Sequence, residues 1–184
     1  VDIDTLGNYP AVREGGALDE RLVGVLDAAS QLLTLQDRAI GMLARARRSR
    51  RELVQRLRRV VDAPELIERV LTRLAALGVL DDAAVARAEA ASRFRRGEGR
   101  RKIQQRLAAK GIDRQTAEQV LGEVIEDEAV DEEALCRAAA ERRLRSLQGV
   151  EPDARRRRLS AFLQRRGFSG DMIGRVLRSL PRDP

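Results

Sequence analysis

A chain of 184 residues with 43% hydrophobic and 35% charged side chains has apolar material for a core, yet only 2% is aromatic, with no Trp, one Tyr and three Phe. Ala, Leu, Arg and Glu dominate without β-branched runs, which suits helix-on-helix packing better than one thick core. The net charge of +7, carried by Arg except at Lys102 and Lys110, favours nucleic acid or acidic protein surfaces as partners, while the lack of His and the single Cys136 exclude a Ser-His-Asp triad, common zinc sites and an internal disulfide.

The chain opens with the acidic Val1-Asp2-Ile3-Asp4, which has no signal-peptide pattern, and without Met, so the natural chain is expected to begin earlier. Tyr9-Pro10 and Gly15-Gly16 mark turns, and Leu18 to Leu33 reads as one helix. A second helix is expected from Leu35 to Ala46, with Ile40, Met42 and Leu43 apolar. Ser49-Arg50-Arg51-Glu52 is a capping box, in which Ser and Glu satisfy orphan amides reciprocally. Val61-Asp62-Ala63-Pro64 breaks that helix, and Pro64 fits the first position of a helix running to Leu77. Asp81 and Asp82 open a run from Ala83 to Arg95 that closes at Gly97-Glu98-Gly99. Gly111-Ile112-Asp113 and Gly167-Phe168-Ser169 each supply a helix-ending Gly, an apolar residue that folds back, and a side-chain cap for the next helix. Ala117 to Glu126 and Glu132 to Leu147 are further helices; Gln148-Gly149 ends the latter and Pro152 restarts the chain. Between them, Glu123, Glu126, Asp127, Glu128, Asp131, Glu132 and Glu133 form an acidic run that reads as a solvated helix end, an acidic hinge or a partner for basic surface.

An internal repeat organises these elements. Leu53, Leu57, Ile67, Val70, Leu71 and Leu74 recur at the same spacing as Ile103, Leu107, Ala117, Val120, Leu121 and Val124, and again as Leu159, Leu163, Ile173, Val176, Leu177 and Leu180. Each set is an apolar pair four apart, a break, then a stripe at i, i+3, i+4, i+7, which is one helix face twice over. The expected fold is all-α: a leader with one helix over 1–35, then a tandem repeat of three three-helix units over 36–80, 81–130 and 131–184, with helices of about 10–17 residues. Such units bury little alone and are expected to lean on their neighbours in an extended or curved molecule. Leu53, Leu57, Leu71, Ile103, Leu107, Leu121, Leu163 and Leu177 are expected to be buried, and Cys136 to pack as a small apolar residue.

The segments Arg38-Ala39-Ile40-Gly41-Met42-Leu43-Ala44-Arg45, Ser49 to Leu53, Gly78-Val79-Leu80-Asp81-Asp82, Arg95-Arg96-Gly97-Glu98-Gly99, Leu107 to Ile112 and Phe162-Leu163-Gln164-Arg165-Arg166-Gly167-Phe168-Ser169 together resemble the RecX recombination regulators, over roughly residues 36 to 181. The resemblance implies a three-helix-repeat protein that lodges in the groove or at the end of the RecA–DNA filament and lowers ATPase, strand-exchange and coprotease output. It implies no cofactor, no enzymatic activity and a cytoplasmic monomer. The sequence departs from the family pattern at Ala83-Ala84-Val85-Ala86, where an aromatic residue is common; Phe94 is the nearest substitute.

No catalytic constellation can be assembled, and neither a P-loop nor a dinucleotide fingerprint is present. The candidate working surface is basic. One cluster is Arg93, Arg95, Arg96, Arg100, Arg101 and Lys102; another is Arg155, Arg156, Arg157 and Arg158 with Arg165 and Arg166; a third is Arg47, Arg48, Arg50 and Arg51. Forked guanidinium groups suit phosphate or acidic patches, although each can also pair with nearby Glu or Asp. Arg101, Lys102 and Arg106 are expected to point outward, because Ile103 and Leu107 claim the buried face. The competing readings are a stand-alone helix-turn-helix nucleic-acid binder and a passive helical scaffold. The helices Pro64 to Leu77 and Ala117 to Glu126 are poor groove readers, carrying few bases and several acids, so DNA contact is expected to be weak and sequence-blind. No apolar run approaches the length of a membrane span.

Overall fold

The computed structural model describes residues 20–180, and among these every regular element is an α-helix. In chain order they are α1 (Glu20–Arg45), α2 (Arg50–Leu57), α3 (Pro64–Ala76), α4 (Asp82–Arg95), α5 (Arg100–Ala109), α6 (Arg114–Asp127), α7 (Glu132–Arg145), α8 (Pro152–Arg165) and α9 (Gly170–Ser179). The acidic start at Val1-Asp2-Ile3-Asp4 and the turns at Tyr9-Pro10 and Gly15-Gly16 lie outside the described residues.

The expected division of the first stretch into two helices is corrected. α1 runs unbroken for 26 residues, because nothing between Leu33 and Leu35 interrupts the backbone ladder and the Thr34 hydroxyl is absorbed by the Ser30 carbonyl at 2.9 Å. Its inward stripe is Leu32, Leu35, Ala39, Met42 and Leu43, whereas Ile40, 37% exposed, faces out. At the other extreme α2 has only 8 residues, shorter than expected. It is held by its start: Ser49 Oγ accepts from the Glu52 N–H at 3.2 Å and the Glu52 carboxylate accepts from the Ser49 N–H at 3.0 Å. Ser49 is fully buried, so the reciprocal bonds replace water that cannot reach these amides. Ser49→Ala is expected to lower the unfolding free energy by about 1–2 kcal/mol. Urea unfolding of the variant checks this; an unchanged midpoint would mean that the box contributes nothing.

The chain forms two compact units, the first ending at Asp81 and the second beginning at Asp82. In the first, α1, α2 and α3 enclose Leu35, Ala39, Leu53, Leu57, Ile67, Val70, Leu71, Leu74 and Leu80. The second holds two cores of the same plan. Val85, Ala86, Ala90 and Phe94 of α4 pack on Ile103, Leu107, Val120, Leu121 and Val124, and Cys136, Ala139 and Ala140 of α7 pack on Leu159, Leu163, Phe168, Ile173 and Val176. Half-buried Leu135 packs against both cores. Small residues on α4 and α7 let helices approach closely, and one Phe in each core supplies the bulk.

The repeat stripes are the buried faces, with Leu177 and Leu180 as the exceptions: both are half-buried at the edge of the last core. Ile112 and Phe168 fold back as expected, 3% and 1% exposed, each donating its N–H to the carbonyl five residues earlier, Leu107 and Leu163. Asp113 and Ser169 then cap α6 and α9, accepting from the N–H groups of Thr116 and Met172.

Candidate functional site

The turn after α4 has the same backbone form as those after α5 and α8, but it buries an acid instead of an apolar side chain. Glu98 donates its N–H to the Arg93 carbonyl at 3.1 Å and is only 8% exposed. Its carboxylate gathers Arg106 at 2.9 Å, Lys102 at 3.5 Å and Arg93 at 3.8 Å. Burial alone would push the carboxyl up, but the hydrogen bond from Arg106 and the charges of Lys102, Arg106 and Arg93 together hold it below the usual carboxylate range. Arg93 is also bonded to Glu89 at 2.6 Å, which raises its own pKa.

The cluster read as a basic working surface around Gly97-Glu98-Gly99 is therefore largely spent inside the fold. Arg93, Lys102 and Arg106 pair with Glu98, while Lys102 and Arg106 stay 32% and 38% exposed, outward of the buried Ile103 and Leu107. Arg95 binds Glu128 at 3.0 Å, and Arg100 lies beside the Glu132 carboxylate, which its N–H also contacts. Arg96 and Arg101 are the members left exposed without an ion pair among the described residues. The acidic run is the other half of this arrangement. Glu123 and Asp127 hold Arg87, and Glu133 holds Arg175 at 3.0 Å and Arg137 at 3.6 Å. It is a partner for basic surface, and the surface is the chain's own.

The second cluster divides differently. Arg156, Arg157, Arg158 and Arg165 are exposed, whereas Arg155 is half-buried. Glu151 is held below its usual range by the N–H groups of Asp153 and Ala154 and then by the charges of Arg157 and Arg155. Arg156 and Arg157 line a groove of about 410 Å³ between α8 and α9, with Ser160, Gln164, Gly170 and Gly174. Arg166 is half-buried. It reaches back across the joint to donate to the carbonyls of Gly97 at 2.8 and 3.0 Å and Arg96 at 2.6 Å, satisfying orphan acceptors at the end of α4. Beside this brace the backbones of the two turns touch: the Gly99 N–H donates to the Arg166 carbonyl at 2.8 Å and the Arg101 N–H to the Gly167 carbonyl at 3.1 Å. In the first unit, Arg50 pairs with Glu68, Arg48 is half-buried, and Arg47 and Arg51 are exposed.

Arg142 and Arg143 escaped the sequence reading. They sit with Arg145 in the basic last turn of α7, and with Arg166 they line a cleft around Phe162. Helical spacing could have placed the pair near the end of α7; nothing local shows that α8 brings an aromatic ring and a third guanidinium to it.

Among the described residues no group of three or more His, Cys, Asp or Glu could hold a metal ion, and no helix is long and apolar enough to cross a membrane. Cys136 is fully buried among apolar neighbours, and burial pushes its thiol up to about 11, so it is a poor nucleophile.

Residues 81–121 match the second three-helix domain of RecX and residues 131–177 the third. Regulatory protein RecX of Halorhodospira halophila is 41% identical over 147 residues, covering 79% of this chain and 86% of the relative. That of Thermobifida fusca is 36% identical over 154 residues, covering 82% of each. The crystal structure of a regulatory protein RecX superposes with a TM-score of 0.82 at 21% identity, covering 96% of this chain and 85% of that one. RecX from Lactobacillus salivarius gives a TM-score of 0.73 at 22% identity, over 83% and 97%. With its repeated three-helix plan and identity of this extent, the chain belongs to the RecX family of non-enzymatic regulatory proteins.

Proposed function

We propose that the chain restrains the RecA recombinase by seating in the groove or at the end of the RecA–DNA filament, lowering ATPase, strand-exchange and coprotease output. It does so as a cytoplasmic monomer without a cofactor. Membership in the RecX family carries the reading, since the curated relatives are named regulatory proteins. The surface supports it: Arg96, Arg101, Arg156, Arg157, Arg158 and Arg165 remain exposed after the internal acids have taken their partners. A positive field of this kind favours acidic protein or phosphate and speeds encounter.

The helix-turn-helix alternative finds less support. On α6 the stripe Ala117, Val120, Leu121 and Val124 is buried, and Glu123 and Asp127 are engaged with Arg87, which leaves a face short of base-reading side chains. Contact with bare DNA is expected to be weak and steeply salt-dependent.

The test mixes purified protein with preformed RecA filaments and follows ATP hydrolysis. Inhibition is expected; its absence at saturating protein would end the reading. Reversing charge at Arg96, Arg101, Arg156 and Arg158 together is expected to weaken filament binding at least about tenfold, because each exposed pair is worth little but four reversals add repulsion. Circular dichroism of the same variant should show intact helices, since none of the four is buried. Full binding with full helicity would remove this surface from the interface.

A further inference from the structure

We propose that the cleft between α7 and α8 is a phosphate-binding site, in which Arg142, Arg143 and Arg166 grip one phosphate group beside Phe162. The cleft measures about 290 Å³ and is completed by Ala139 and Ser146. Other half-buried or clustered guanidinium groups find acids, as Arg93 finds Glu89 and Arg106 finds Glu98. Here three of them meet only neutral oxygen: Arg142 donates to the Ala138 carbonyl at 3.3 Å, Arg143 to the Ser146 hydroxyl at 3.3 Å, and Arg166 to the carbonyls of Arg96 and Gly97. Among the described residues none of the three has a carboxylate partner. Arg143 Nε is buried with no hydrogen-bond partner at all.

Gathering like charges this way costs free energy that an anion would return. Two features hold them together. The Phe162 ring carries the guanidinium carbons of Arg143 and Arg166 at 5.6 and 5.8 Å from its centroid, a cation–π arrangement that also excludes water from one wall. Gly97 keeps the neighbouring wall open: a Cβ there would stand 3.2 Å from the Arg166 and 3.5 Å from the Arg142 terminal nitrogens. The geometry favours phosphate over carboxylate. The two oxygens of a carboxylate accept mainly in one plane, whereas a tetrahedral oxyanion presents acceptors in several directions at once.

This site stands independently of the filament reading, and its test uses no recombinase. The full chain is titrated with inorganic phosphate while the amide resonances of Gly97 and Ser146 are followed, with chloride matched for ionic strength. A labelled oligothymidylate is then titrated by anisotropy, with inorganic phosphate and an oligoglutamate peptide as competitors. Phosphate is expected to shift both amides. Arg142→Gln with Arg143→Gln is expected to weaken phosphate binding at least about tenfold, while Arg69→Gln in the first unit stays within about twofold. Oligothymidylate displaced by phosphate identifies a nucleic-acid backbone as the source; phosphate binding without the oligonucleotide identifies a free phosphate. Arg142 is exposed, so Arg142→Gln alone still reads the site should the double variant fail to fold. Unmoved amides, or variants that bind phosphate like the parent, overturn the proposal. So does oligoglutamate binding that depends on the same arginines while phosphate does not bind.

Discussion

Gly167→Ala is expected to destabilise the second unit by about 3–5 kcal/mol, combining backbone strain with overpacking. Gly167 has φ +92°, a conformation that L side chains rarely adopt. An added Cβ would also stand 2.5 Å from Lys102 Cβ and 2.8 Å from the Gly99 carbonyl oxygen. Neither neighbour can retreat, because the turns on both sides are bonded through their backbones and Phe168, the next residue, is 1% exposed in the core. A swing of a flexible side-chain tip, which relieves such a clash in other settings, is absent here because the obstructing atoms belong to the backbone or sit next to it. Gly122→Ala is the control. Gly122 lies inside α6 with nothing within 4 Å of its added Cβ, so the change is expected to stabilise by about 0.5–1 kcal/mol. Chemical unfolding of the two variants measures both; equal midpoints would show that the joint of the two turns tolerates a side chain.

Glu98→Gln is expected to cost about 2 kcal/mol, well short of the loss for a fully buried ion pair because its partners are partly open to solvent. The side chains of Arg93, Lys102 and Arg106 are 22%, 32% and 38% exposed, so water screens the cations that lose their acid. The same group predicts an acid response. Its folded pKa lies below the ordinary value of 4.5, so the unfolded chain takes up the proton first as pH falls. The stabilisation from Glu98 is thus fully present above that ordinary value and is lost as pH falls through the depressed folded one. Asp113, held low by the Thr116 hydroxyl and N–H, acts in the same direction from the surface. Unfolding midpoints of the parent and Glu98→Gln, followed from neutral pH down past the carboxylate range, should converge at the acid end. A constant gap between them would mean that Glu98 stabilises by shape alone.

Much of the architecture was legible locally. Stripes at i, i+3, i+4 and i+7 mark the buried faces of α2, α3, α5, α6, α8 and α9, because a helix returns a side chain to the same face at that spacing whatever it packs against. The caps at Ser49, Asp113 and Ser169 and the fold-back of Ile112 and Phe168 were legible for the same reason: each bond closes within a few residues. Local reading misjudged α1, dividing at the expected leader boundary a helix that its own hydrogen bonds keep continuous, and Leu177, which lies at the core's edge.

The basic surface was decided by tertiary structure. Thirty-six Lys and Arg face twenty-nine Asp and Glu in this chain, so charge counting shows an excess but not which cations compose it. Arg95 meets Glu128 across 33 positions, Arg175 meets Glu133 across 42, and Arg166 braces Gly97 across 69. Such pairings depend on which helix ends the cores bring together, and a long flexible side chain carries no periodic signature of its partner. The sequence by itself determined the all-helical repeat, its caps and the missing catalytic chemistry. Only the packing of α4 on α5 decided that Glu98 would consume three cations, and only that of α7 on α8 left Arg142, Arg143 and Arg166 together beside Phe162, because electrostatic partners are chosen by distance in space and not by distance along the chain.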